Sequence, residues 1–186
     1  MDLKTKFETG LEYDAFLAKY GSEEHKGRWA KMHAAVTLKP AQLELLKSFT
    51  REMKVFVLAG AWCGDCVNQC PIFDHFARAT PTIRIRYFDR DQTPDLAERL
   101  SICGAARVPA VLFASEDDFS CGTYGDRTIS KYRELASAAA GAACPTGIVL
   151  PGQSAIDGVI QDWLDEFERI QWMLRTSGRL RKLHGD

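Results

Sequence analysis

The chain has 186 residues, of which 46% are hydrophobic and 26% are charged, so it can bury one sizeable core and is unlike a disordered or collagen-like chain. Its 24 Lys and Arg residues nearly balance its 25 Asp and Glu residues, for a formal net charge of −1. This balance leaves no overall positive charge to draw the protein to nucleic acid or to anionic membranes. We therefore expect no nucleic-acid partner and no membrane partner.

The six cysteines are the unusual part of the composition. They are too few for the disulfide framework of a small secreted scaffold. The first eight residues hold two acidic side chains and no apolar run, unlike a signal peptide, and the apolar stretches at 55–62 and 108–114 are far shorter than the ~20 residues of a membrane span. We expect a cytoplasmic protein, in which closely spaced cysteines are more often catalytic, redox-sensing or metal-binding than structural.

The first fifty positions show helical spacing of their apolar residues. The runs lie at 13–20, 29–36 and 43–49. They predict an N-terminal helical extension over residues 1–49. A continuous apolar run at 55–59 follows, bounded by a charge and a glycine, and it predicts a strand buried on both faces.

The rest of the chain alternates between helical and strand patterns. Predicted helices lie at 66–79, 94–104, 129–140 and 156–174, and predicted strands at 82–88, 108–114 and 120–124. A loop at 146–153 and a capping-box pattern at Ser154 precede the last helix, which is long and strongly amphipathic. This alternation favours a single α/β sheet.

Two thiols, Cys63 and Cys66, stand three residues apart where the first predicted strand passes into a helix. At a helix N-terminus, the unpaired N–H groups and the helix dipole favour a thiolate, so we expect a lowered pKa at Cys63 and assign it as the nucleophile. Cys66, one turn later, would resolve the mixed disulfide. Cys70 adds a third thiol, and a zinc or cluster site formed by the three remains an alternative.

The sequence here resembles the thioredoxin family. The family's Trp-Cys-Gly-x-Cys motif stands at Trp62 to Cys66, its helix proline corresponds to Pro71, and its cis-proline loop is similar to Val108 and Pro109. The likeness covers residues 50–141. It implies a thioredoxin fold, with a central mixed β-sheet flanked by helices. Outside it lie an N-terminal helical extension at 1–49 and, at 142–186, a C-terminal loop and a long helix that we expect to pack on the domain.

The resemblance also implies roles around the two cysteines. Trp62 would shape access to the site, Gly64 would allow a tight turn, and Val108 with Pro109 would bind the substrate chain. Two positions depart from the family pattern: Val57 occupies the place of a buried carboxylate, and Asp65 replaces a proline. Because a nearby negative charge disfavours a thiolate, we expect Asp65 to raise the cysteine pKa and tune the couple toward the reducing side.

We therefore expect a thiol-disulfide oxidoreductase that reduces protein disulfides, with no bound cofactor beyond a redox-active disulfide between Cys63 and Cys66. Its partners would be disulfide-containing proteins and a thiol reductase or small-thiol reductant. A binding or adaptor module with regulatory cysteines is the alternative. The apolar stripe of the last helix leaves open a monomer or a weak dimer.

Three further cysteines have no close partner in the sequence: Cys103, Cys121 and Cys144. The first lies on a predicted helix face and the second in a predicted strand. We expect all three to be buried, inert core thiols.

Overall fold

Four strands form one mixed sheet in the order β2-β1-β3-β4. They are β1 (Met53–Ala59), β2 (Ile83–Asp89), β3 (Ala110–Ser115) and β4 (Ser120–Gly125). β1 pairs in parallel with β2 and antiparallel with β3, and β3 pairs antiparallel with β4. The computed structural model describes residues 1–140 and 155–186. Cys144, the predicted loop at 146–153 and the predicted cap Ser154 lie outside the described residues.

Helices surround this sheet. In the described part of the chain they are α1 (Leu3–Thr9), α2 (Tyr13–Tyr20), α3 (Glu23–Ala35), α4 (Pro40–Lys47), α5 (Gly64–Ala79), α6 (Pro94–Arg99), α7 (Ile129–Ala140), α8 (Ala155–Thr176) and α9 (Gly178–His184). The mixed sheet with flanking helices confirms the predicted thioredoxin fold. Two helices, α1 and α9, were not predicted, because 7 residues are too few to display a period. Asp2 caps α1 by accepting from two backbone N–H groups.

The predicted helix at 94–104 ends earlier, at Arg99. Cys103 therefore lies in the following turn, where its φ is 51° and its side chain is exposed. The expectation of a buried Cys103 was wrong because the helical spacing was extended past the residues that form the helix. Cys121 is half-buried in β4.

Both faces of the sheet are covered. Phe56 of β1 packs on Phe7 of α1, with ring centroids 5.0 Å apart. Val55, its neighbour, points to the other face together with its partner Phe113, and Phe113 packs on Phe167 of α8 at 5.2 Å. All residues of β1 are consequently buried, as the continuous apolar run predicted. This fixed strand leads directly to the cysteine motif.

Candidate functional site

The turn between β1 and α5 holds the motif. Cys63 is the N-cap residue of α5, and its side chain makes no capping hydrogen bond. Its backbone N–H donates to the Gly60 carbonyl at 3.0 Å, which closes the turn. The Cys63 sulfur therefore lies at the end of the helix where unpaired N–H groups gather.

The two motif sulfurs differ in accessibility. Cys63 is half-buried, whereas Cys66 is fully buried, and both are free thiols. The Gly60 backbone N–H donates to Cys66 Sγ at 3.4 Å. A large substrate can therefore meet Cys63 first, and Cys66 lies behind it in the helix.

A loop far along the chain faces the same sulfur. The Val108–Pro109 peptide bond is cis. The Val108 carbonyl accepts a hydrogen bond from Cys63 Sγ at 3.5 Å, although the two residues are 45 positions apart. The structure thus brings together the motif and the loop that the sequence analysis paired by resemblance.

The pKa values of both thiols are raised. Burial raises the pKa of Cys66 well above its ordinary value. The pKa of Cys63 is raised by its hydrogen bond with Cys66, then by burial and by the charge that Cys66 would carry. The expected lowering at Cys63 was therefore wrong in direction: the neighbouring thiol and the partial burial outweigh the helix terminus. Because burial is less complete at Cys63, we expect the first thiolate of the pair to form there.

Asp65 carries a charge that the fold balances. Arg127 Nη2 lies 2.7 Å from Asp65 Oδ2, and less than a third of either side chain is exposed. The hydrogen bond to Asp65 raises the pKa of Arg127, so the guanidinium stays charged. Arg127 comes from a loop 62 positions away and offsets the charge of Asp65 beside the sulfurs. The tuning of the redox couple by Asp65 stays a prediction.

Asp126 forms a second ion pair next to the first. Its side chain is only 3% exposed and accepts from Arg107 Nη1 at 3.1 Å and from the Tyr132 hydroxyl. Against the effect of burial, these hydrogen bonds hold the pKa of Asp126 below its ordinary value. Since Arg107 precedes Val108, this pair anchors the loop that faces Cys63. The sequence analysis missed this role, and the only local signal was a turn after Gly125.

Trp62 forms part of the rim around Cys63. It is 43% exposed, and the guanidinium of Arg90 stacks over its ring at 4.6 Å. A Cβ on Gly60 would lie 2.7 Å from the indole, so glycine allows the ring to rest against the backbone. The expected role of Trp62 in shaping access to the site stays a prediction.

Helix α3 fastens the motif from the other side. The Trp29 indole N–H donates to the Ala61 carbonyl at 2.8 Å, and both residues are buried. Trp29 was predicted only as a core position of an N-terminal helix. Nothing in the local sequence linked it to the motif.

Cys70 lies in the core, fully buried, and its thiol hydrogen-bonds with Cys66. Pro71 follows it inside α5. Across residues 1–140 and 155–186, no group of three or more His, Cys, Asp or Glu side chains is arranged to hold a metal ion. The zinc or cluster alternative through Cys63, Cys66 and Cys70 therefore finds no support in the geometry.

A family model described as Thioredoxin matches residues 10–139. The chain belongs to the thioredoxin family, as the motif and the proline loop predicted. No curated protein matches the sequence. Among the described helices, none has the length and apolar character that crossing a bilayer requires.

Two solved structures have the same overall fold. A protein of unknown function from Pseudomonas aeruginosa is 20% identical with a TM-score of 0.72, over 91% of this chain and 96% of that one. An HIV epitope scaffold is 18% identical with a TM-score of 0.71, over 91% and 97% of the respective chains. At these identities the likeness shows the fold alone.

Proposed function

We propose that this protein is a thiol-disulfide oxidoreductase that reduces disulfides in other proteins. The observation that carries the proposal is the asymmetry of the motif: Cys63 is partly exposed at the start of α5 and faces the Val108 carbonyl, while Cys66 is buried one turn behind it. This is the arrangement that a two-step exchange needs, with one sulfur for attack and one for release.

In the first step, the Cys63 thiolate attacks one sulfur of the substrate disulfide. The substrate S–S bond breaks, a mixed disulfide forms, and the first substrate thiol leaves with a proton. Cys66 then loses its proton and attacks Cys63 Sγ, which forms the Cys63–Cys66 disulfide and releases the second substrate thiol. Two electrons pass from the cysteine pair to the substrate.

The cycle needs an external two-electron donor to reduce the Cys63–Cys66 disulfide again. We propose a thiol reductase or a small thiol for this step, and a reducing cytoplasm as the compartment that keeps the pair as free thiols. No bound cofactor enters the exchange. The site residues come from one chain, so a monomer or a weak dimer suffices.

Trapping with single-cysteine variants tests the proposal. Incubated with a disulfide-bonded protein, Cys66→Ser should accumulate a covalent complex through Cys63, because the resolving thiol is gone. With dithiothreitol as electron donor, Cys63→Ser should lose all turnover. Mass spectrometry of the complex and a thiol-release assay measure the two effects.

Cys121→Ser serves as the control, since Cys121 is a half-buried thiol of β4 outside the motif. It should turn over like the unaltered protein. If Cys66→Ser forms no mixed disulfide and the intact protein shows no turnover, the chain is a binding or adaptor module and the proposal is wrong.

A further inference from the structure

One exposed arginine lies directly against the motif. Arg28 Nη2 is 3.7 Å from the position that a Cβ on Gly64 would take, and Gly64 stands between the two reactive cysteines. Arg28 comes from α3, and its neighbour Trp29 fixes that helix to the motif through the Ala61 carbonyl at 2.8 Å. The guanidinium therefore lies beside Gly64, the residue that follows the attacking cysteine.

Three other arginines near the site have acidic partners. They are Arg90 with Asp91 at 2.9 Å, Arg107 with Asp126 at 3.1 Å and Arg127 with Asp65 at 2.7 Å. Within residues 1–140 and 155–186, Arg28 takes part in no ion pair. A substrate that approaches Cys63 thus meets a guanidinium that has no acidic partner, while the one carboxylate inside the motif is paired with Arg127.

We propose that the polypeptide disulfides reduced at this site carry a carboxylate beside the cystine, and that Arg28 binds it. This inference rests on the proposed function and names its substrate class. A guanidinium matches a carboxylate in geometry as well as in charge. The contact would place the acidic residue over Gly64 and the substrate sulfur next to Cys63.

Three disulfide-bonded peptides of equal length test the inference, with Glu, Ser or Lys next to each cysteine. The reduced protein is mixed with each peptide, and the single-turnover rate is followed by acid quench and chromatography. The unaltered protein should react fastest with the Glu peptide. Arg28→Gln should slow that reaction about fivefold, as expected for one charge pair at ~4 Å near water, and leave the Ser peptide within about twofold.

Lys182→Gln is the matched control. Lys182 is an exposed cation of α9, and α9 lies at the end of the sheet opposite the motif, where Arg179 pairs with Asp117. Lys182→Gln should leave the rates with all three peptides unchanged. Arg28→Lys, which keeps the charge, should retain most of the preference, and the preference of the unaltered protein should shrink in 1 M salt.

The outcomes separate the two proposals. If the unaltered protein reduces all three peptides but Arg28→Gln slows them equally or not at all, the role of Arg28 is refuted and the proposed function stands. If the unaltered protein reduces none of them, the proposed function fails and the substrate class fails with it.

Discussion

The reactivity of the motif is decided by the immediate surroundings of each sulfur. Cys66 is buried and hydrogen-bonds with the thiols of Cys63 and Cys70. A thiolate there loses hydration that the Gly60 N–H replaces only in part. In the proposed cycle the second exchange therefore depends strongly on pH.

The pH profile of that step is a residue-scale prediction. Because the pKa of Cys66 is raised, its thiolate fraction should grow about tenfold per pH unit throughout the range below an ordinary thiol pKa of ~8.5. The rate at which a mixed disulfide on Cys63 resolves should therefore rise about tenfold from pH 6 to 7 and again from 7 to 8. Stopped-flow measurement of the second thiol released gives this rate.

The Cys70→Ala variant tests the cause of the raised pKa in the same experiment. The Cys70 thiol raises the pKa of Cys66, so its removal should shift the profile toward lower pH, whereas Cys121→Ala should not move it. A resolution rate that is constant above pH 7 would contradict the prediction, since it would mean that Cys66 is already ionised.

Between elements, one buried glutamine links three parts of the chain. Gln69 of α5 donates to the Asp126 backbone carbonyl at 2.9 Å and accepts from the Trp163 indole N–H of α8 at 2.8 Å. Gln69 is only 2% exposed. It ties the motif helix to the loop that supplies Arg127 and to the C-terminal helix.

Replacing this glutamine should be costly. Gln69→Leu leaves a buried N–H and a buried carbonyl without partners, at about 1 to 3 kcal/mol each, so we expect a loss of about 2 to 6 kcal/mol in the free energy of unfolding. Gln92→Leu, at an exposed position, should cost less than about 0.5 kcal/mol. Urea unfolding measures both. Similar losses in the two variants would show that the buried bonds do not matter.

Over the whole molecule, the helices at both ends share one core with the sheet. The buried cluster includes Phe7 and Trp29 from the N-terminal helices, Phe113 from β3, and Phe167 from α8. The family match begins at residue 10, and the likeness to solved structures covers 91% of the chain, more than residues 50–141 alone. The boundaries at 49/50 and 141/142 remain predictions.

A core substitution in α8 tests this shared core. The Phe167 ring packs on Phe76 and Phe113, each at 5.2 Å. Phe167→Ala should lower the free energy of unfolding by about 3 to 5 kcal/mol in a single cooperative transition. Met173→Ala, on the exposed side of α8 at 39% exposure, is the control. A separate early transition would show that α8 folds apart from the sheet.

The sequence by itself determined the order of the strands and of the longer helices, the position of the motif and the family. These features depend on local spacing: apolar period, the interval between Cys63 and Cys66, and the proline that follows Val108. Local spacing gave two wrong predictions. Cys103 is exposed because α6 ends before it, and the pKa of Cys63 is raised because of the neighbouring Cys66 thiol and partial burial.

Only the tertiary structure decided which charged side chains surround the motif and which contacts hold it in position. Arg127 neutralises Asp65, Trp29 fastens the turn, and Arg28 stands over Gly64. Each of these contacts joins residues more than thirty positions apart in the sequence, and no periodicity encodes such a pairing. These contacts form because burial of the shared core brings α3 and the loop after β4 to the end of β1. The charged side chains that meet there set the chemistry of the site.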